Sequence, residues 1–186
     1  LGHAFGGTSF WSRLRRMLVK AVLRVATTHP HSVCIFQNQE DQNAFVDEGI
    51  VASANARLIR GSGVDLQRFA FVPERDGPPR VLLASRMLRT KGVPEFIAAA
   101  GELKARWPDA QFLLAGGPDP GNPASLDARE LAELNTSGVV TWLGHCSDVA
   151  ALLRDVHIVV LPTYYKEGVP KALIEAAASG RPIVTT

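Results

Sequence analysis

The stretch EGVPKALIEAAASGRP, residues 167–182, sets one glutamate just before a proline that can open a helix and a second eight positions later, inside that helix. Pro170 suits the first helical turn, where its missing N–H costs nothing, and Gly180 suits the position just past the end, so the spacing predicts a helix from Pro170 to Ser179. The backbone N–H groups that open such a helix, with those of Gly168 and Val169, make an anion site that the helix dipole favours for phosphate. Glu167 stands on the loop at that mouth. Glu175 lies a turn and a half inside, far enough from a phosphate to accept hydrogen bonds from vicinal hydroxyls such as those of a ribose. A phosphate there also calls for positive charge, and SRMLRTKG (residues 85–92) supplies Arg86 and Lys91. Arginine clamps phosphate in bidentate fashion and lysine acts as a point charge. Two cations and a helix N-terminus together describe a diphosphate site.

These residues need a frame that brings them together. From Arg80 onward, short apolar runs (RVLLAS, AQFLLAGG, VVTWLG, VHIVVLP, PIVTT) alternate with helical patterns over VPEFIAAAGELKARW, residues 125–134, residues 147–154 and the helix after Glu167. Near-continuous apolar strands separated by amphipathic helices predict an α/β, Rossmann-like doubly wound parallel sheet. Ligands of such sheets sit beyond the carboxyl ends of the strands, so the loops after Ser85, Ala115, Leu143 and Leu161 are expected to ring one site. GGPDPGNP, from Gly116, lacks the GxGxxG spacing of a phosphate loop, and its prolines predict a flexible loop.

Ahead of Arg80 the pattern changes. SVCIF and ARLIR are strand candidates, and residues 69–79, with three prolines, a glycine and several charges, predict an interdomain linker. The division expected is residues 1–68 as the end of a preceding domain, 69–79 as linker and 80–186 as a second domain, cut at both ends of the chain. Residues 10–25 place Trp11, Leu14, Met17, Leu18, Ala21, Val22 and Val25 on one helical face beside a stripe of Arg13, Arg16, Lys20 and Arg24, with no acid. Such a helix either lies on anionic lipid or packs its apolar face within its own domain.

The 186 residues are 46% hydrophobic, enough for a well-buried domain. With 20 basic and 18 acidic residues, the formal net charge is +2, which argues against nucleic acid as the main partner. Cys34 and Cys146 match no metal or disulfide spacing and are expected reduced and buried. No apolar run is long enough to span a bilayer and no signal-peptide pattern opens the chain, so the expected location is cytoplasmic, at the inner face of the membrane if the basic helix binds lipid.

Taken together, the segment from Arg80 to Thr186 resembles the nucleotide-sugar-binding domain of family-4 retaining glycosyltransferases of the GT-B fold. SRMLRTKGVPEFIAAA is similar to the family's diphosphate loop, FLLAGG and VVTWLGH to its base-side loops, and EGVPKALIEAAASGRPIV to its two-glutamate motif; FQNQEDQNAF and RLIRGSGVDLQRF resemble the end of the first domain and the crossing into the second. The nearest flavour is the subgroup that builds cell-surface polysaccharide and lipopolysaccharide on polyprenyl-diphosphate carriers.

The resemblance implies that Arg86 and Lys91 hold the diphosphate and Glu175 the ribose. It implies that Glu167 contacts the transferred sugar, with the backbone amides of Gly168, Val169, Pro170 and Lys171 beside sugar and phosphate where an N–H exists. Gly116 and Gly144–His145 would approach the base, His145 alternatively capping its loop, and Gly63 would mark the interdomain crossing. The donor implied is a nucleotide sugar, with UDP favoured over GDP, and the acceptor a glycan or lipid-linked glycan. The sequence holds no Asp-x-Asp pair, which fits the family's metal-independent transfer. Two other readings stand beside it. A dinucleotide oxidoreductase would need a glycine fingerprint where ASRMLRTKG stands, and a donor-binding module without turnover would share the same site.

Overall fold

The computed structural model describes residues 10–29, 31–164 and 168–186. The chain forms two compact units. The first holds the described residues up to Ser62 together with Gly168 and Val169, and the second holds Gly63 to Tyr164 and Pro170 to Thr186.

In the first unit α1 (Phe10–Thr27), β1 (Cys34–Phe36), α2 (Gln39–Asp47) and β2 (Ala56–Leu58) follow one another. The two strands pair in parallel, Cys34 opposite Ala56 and Phe36 opposite Leu58. α2 starts at Asn38, whose side chain accepts the Asp41 N–H at 2.7 Å, and Glu40 and Asp41 in its first turn suit the positive end of the helix dipole. Ile50, Val51 and Ala56 form the buried core, with Leu23, Phe36 and Phe45 packed on it.

α1 meets that core along Leu23 and Thr27, whose hydroxyl donates to the Ile50 carbonyl at 2.6 Å. Part of its basic stripe turns inward. Lys20 pairs with Glu48 at 2.8 Å, and the Arg24 guanidinium donates to the carbonyls of Gly49, at 3.0 Å, and Glu48. Both cations thus sit past the C-terminal end of α2, where the helix dipole concentrates negative charge. The apolar stripe faces outward instead, leaving Met17, Leu18, Val22 and Val25 exposed.

The second unit is built on a five-stranded, all-parallel sheet in the order β5-β4-β3-β6-β7. Its strands are β3 (Arg80–Ala84), β4 (Gln111–Ala115), β5 (Thr141–Trp142), β6 (Ile158–Leu161) and β7 (Ile183–Thr185). The helices between them are α3 (Val93–Lys104), α4 (Ala128–Ser137), α5 (Val149–Arg154) and α6 (Lys171–Ala178). Alternation along the strands sends neighbouring residues to opposite faces. Leu83, Phe112 and Leu114 pack with Phe96 of α3 and Leu131 of α4, while Leu82, Leu113 and Val159 pack with Leu153 of α5 and Ala176 of α6. Both faces are therefore covered, as the unbroken apolar runs predict.

Two helix starts differ from expectation for local reasons. α4 begins at Ala128 because Asp127 closes a capping box. Its carboxylate accepts the N–H groups of Arg129 and Glu130 at 2.8 Å, and Glu130 accepts the Asp127 N–H in return. Pro170 caps α6 in an extended conformation, φ −60° and ψ 130°, rather than lying within its first turn.

The units divide between Ser62 and Gly63, ahead of the boundary expected after residue 68. The segment leading into β3 is bound to the second unit at the amino-terminal end of its strands. Phe69, only 5% exposed, belongs to the core beneath α5 and α6. Arg181, buried before β7, donates to the carbonyls of Val72 and, at 3.3 Å, Val156. Asp155 pairs with both Arg75 and Arg80. His157 accepts the Arg80 N–H on Nδ1 at 3.0 Å, which leaves Nε2–H to donate to the Arg75 carbonyl at 2.9 Å. The cysteines are free and half-buried rather than buried.

Candidate functional site

From β3 the chain steps outward through β4 to β5, then returns to the other side of β3 with β6 and β7. The loops that leave β3 and β6 therefore diverge, and a crevice opens at their carboxyl ends. The two loops meet where the Thr90 carbonyl accepts from the Thr163 hydroxyl at 3.2 Å and the Tyr164 N–H at 3.4 Å. Gly92 makes that approach possible. It has φ +77°, and a Cβ there would overlap the Pro162 carbonyl.

The loop after β4 is not the flexible segment its glycines and prolines suggest. It is zipped to the loop after β3 by backbone hydrogen bonds from Met87 N–H to the Gly117 carbonyl (3.0 Å), Arg89 N–H to Ala124 (2.8 Å) and Leu126 N–H to Met87 (2.9 Å). Prolines cannot donate to such a ladder, but here the donors come from Met87, Arg89 and Leu126, so the prolines do not interrupt it. Gly116 begins this loop with φ +144°, pressed against the Ser85 carbonyl. Its N–H donates to the Gly144 carbonyl at 2.8 Å, and its own carbonyl accepts the Trp142 indole N–H at 2.8 Å. Trp142 is held in turn by its N–H to the Asn135 side chain, 2.7 Å.

These loops enclose an open cavity of about 250 Å³ within the second unit. Its lining includes Arg86 from the β3 loop, Gly116 and Gly117 from the β4 loop, His145 after β5, and Ala172 and Glu175 of α6. Residues from four distant parts of the sequence thus converge at the crevice. Glu175 is only 8% exposed, a carboxylate sunk into the wall with the Lys171 ammonium 3.6 Å away. Lys171 and Ala172 open α6, and among the described residues their N–H groups have no hydrogen-bond partner.

The other expected residues take different places. Lys91 ends a 3₁₀ turn, Arg89–Lys91, on the β3 loop and is not part of the lining. Gly144, whose carbonyl accepts the Gly116 N–H, is not part of the lining. Gly63 opens the second unit, and Gly168 and Val169 cluster with the first, Gly168 against Gln37. Pro170 is the α6 cap. Glu167 lies outside the described residues. Asp119, which pairs with Arg86 at 2.6 Å, and Cys146 and Val149, which line the cavity, are additions that sequence reasoning passes over. Among the described residues no group of three or more His, Cys, Asp or Glu is placed to hold a metal ion.

Residues 78–186 match the family model described as Glycosyl transferases group 1. This chain belongs to that family. Over its full length it is 31% identical to a Campylobacter jejuni protein, N,N'-diacetylbacillosaminyl-diphospho-undecaprenol alpha-1,3-N-acetylgalactosaminyltransferase, and it spans 50% of that relative. Two solved structures share the fold. Anabaena HepE in complex with UDP and glucose matches with a TM-score of 0.65 at 21% identity, over 89% of this chain and 48% of HepE. WaaG, a glycosyltransferase involved in lipopolysaccharide biosynthesis, matches with a TM-score of 0.69 at 17% identity, over 96% of this chain and 51% of WaaG. This group 1 member therefore spans about half the length of these three proteins.

Proposed function

We propose that this chain carries the donor-binding side of a retaining glycosyltransferase, which moves a sugar from a UDP-sugar to a glycan or polyprenyl-diphosphate-linked acceptor in cell-surface polysaccharide synthesis. The observation that carries the reading is the convergence of Arg86, Gly116, His145 and Glu175 on one cavity at the β3–β6 crevice, in a group 1 chain. The Campylobacter relative, whose named acceptor is a diphospho-undecaprenol, supports the acceptor class, and HepE with UDP and glucose supports the donor.

In this reading Glu175 accepts hydrogen bonds from the ribose hydroxyls, while Gly116, Gly144 and His145 border the base. Arg86 and Lys91 face the diphosphate, with the Lys171 N–H beside it. Glu167 contacts the transferred sugar, and Gly63 lies near the crossing. During transfer the bond from the anomeric carbon to the diphosphate oxygen breaks, and the electron pair leaves with the nucleoside diphosphate. The acceptor oxygen bonds to the anomeric carbon on the same face and passes its proton to the departing diphosphate oxygen. Charge grows on the departing oxygens as the sugar becomes oxocarbenium-like, and fixed cations with oriented N–H groups stabilise that charge without reorganisation. The cationic loop takes the part that a divalent ion would otherwise play, so no metal is required.

Calorimetric titration with UDP, GDP, ADP and NAD in metal-free buffer tests this reading. Selective UDP binding is expected, whereas NAD binding would return the site to an oxidoreductase. Glu175→Ala is expected to weaken UDP by about tenfold through lost hydrogen bonds to a buried carboxylate. Unchanged affinity would reject its ribose role.

The outward face of α1 supplies the membrane partner. Met17, Leu18, Val22 and Val25 form an exposed apolar stripe, and Arg13 and Arg15 stand exposed on the same acid-free helix. This pattern suits shallow insertion into an anionic bilayer surface. Among the described residues no helix is long and apolar enough to cross a membrane. The chain is expected to sediment with phosphatidylglycerol vesicles and not with phosphatidylcholine vesicles, and Val22→Glu should release it. Equal sedimentation with both lipids would discard the basic-helix contact.

A further inference from the structure

We propose that Asp119 is a positioning residue for Arg86, holding its guanidinium ready for the donor diphosphate; this rests on the donor reading above. Asp119 is itself fixed. Its N–H donates to the Ser125 hydroxyl at 2.8 Å and its carbonyl accepts the Asn122 N–H at 2.8 Å. The Ser125 hydroxyl donates to the Leu126 carbonyl at 2.9 Å, and Leu126 N–H reaches back to the Met87 carbonyl at 2.9 Å, beside Arg86. The Asp119 backbone is therefore anchored to the loop whose arginine its side chain meets, through hydrogen bonds that do not depend on a ligand.

The contact is a single charge-assisted bond, Arg86 Nη1–H to Asp119 Oδ2 at 2.6 Å. A guanidinium has five donors in a rigid fork, so one such bond orients the plane and leaves other N–H groups for phosphate oxygens. Without Asp119 an arginine side chain 62% exposed would keep most of its rotamer freedom, and binding would have to remove it. The opposing effect is repulsion between the carboxylate and an incoming phosphate. Asp119 is 30% exposed and its charge is screened by solvent and by its arginine, so orientation outweighs repulsion.

The two effects predict opposite signs, which UDP and uridine titrations of four variants separate. Asp119→Ala is expected to weaken UDP by about three- to fivefold, the range of a partly exposed pair, and to leave uridine unchanged. Asp119→Asn, which keeps an acceptor oxygen and loses the charge, should restore the parent affinity. On an Arg86→Ala background, Asp119→Ala should have no further effect. Tighter UDP binding by both Asp119 variants would make the carboxylate a competitor and overturn the proposal, as would equal losses for UDP and uridine or an additive double variant. If the parent binds UDP and Asp119→Ala binds it equally well, this inference alone fails. If the parent binds no UDP, the donor reading fails with it.

Discussion

Arg86→Ala combined with Lys91→Ala is expected to lower UDP affinity by about thirty- to a hundredfold while changing uridine affinity by less than about threefold, from the loss of two charge-assisted contacts to phosphate. Arg86 lines the cavity, whereas Lys91 ends the 3₁₀ turn on the same loop. The lysine needs only to come near as a point charge, and the arginine must present its fork. Neither residue belongs to a buried core cluster, so the double variant should melt close to the parent and the affinity loss can be read as a binding effect. Equal losses for UDP and uridine would mean that the two cations support the loop and not the diphosphate.

Gly116→Ala should act through structure. At φ +144° an alanine is strained, and its Cβ would overlap the Ser85 carbonyl, a backbone atom that cannot swing aside. Relief requires the β4 loop to lift from the β3 loop, which strips the Ser85 N–H from the Ala115 carbonyl (3.0 Å) and loosens the bond from Trp142 to Gly116. A loss of about 3 kcal/mol or more is expected, or roughly 6–12 °C in melting temperature for a chain of this size, together with nucleotide binding. Gly117→Ala is the control, because a Cβ at that position meets nothing within 4 Å. A Gly116→Ala protein that melts with the parent would show that the loop contact is dispensable.

Much of the second unit is legible in the residue pattern because parallel strands buried on both faces leave a signal that survives without partners. Leu82 and Leu83 point to opposite cores, so the run VLLA is apolar throughout and announces its strand. The convergence of Arg86 and Glu175 could be expected from the rule that sites gather at carboxyl ends. What stayed hidden depends on contacts between segments far apart in sequence. GGPDPGNP reads as flexible by composition, and nothing local reveals that Met87, Arg89 and Leu126 supply its ladder. Asp119 was passed over for the same reason. α2 was missed because its residues are mostly polar and bury none of their number, although Asn38 ahead of Glu40 and Asp41 is an N-terminal signal that could have found it. The capping box at Asp127 was equally readable and would have corrected the start of α4.

The anchoring of Phe69, Val72 and Arg75 separates two boundaries that are easily taken as one. The match to the group 1 family model begins at residue 78, almost at β3, but the compact unit begins at Gly63. A gene trimmed to residues 78–186 would remove the ring that fills the core beneath α5 and α6 and the Val72 carbonyl that receives Arg181, leaving a buried guanidinium with a missing acceptor. For this fold the edge of a family-model match is therefore a poor guide to where the compact unit can be cut, and the added residues matter for its stability even though they stand at the opposite end of the sheet from the crevice.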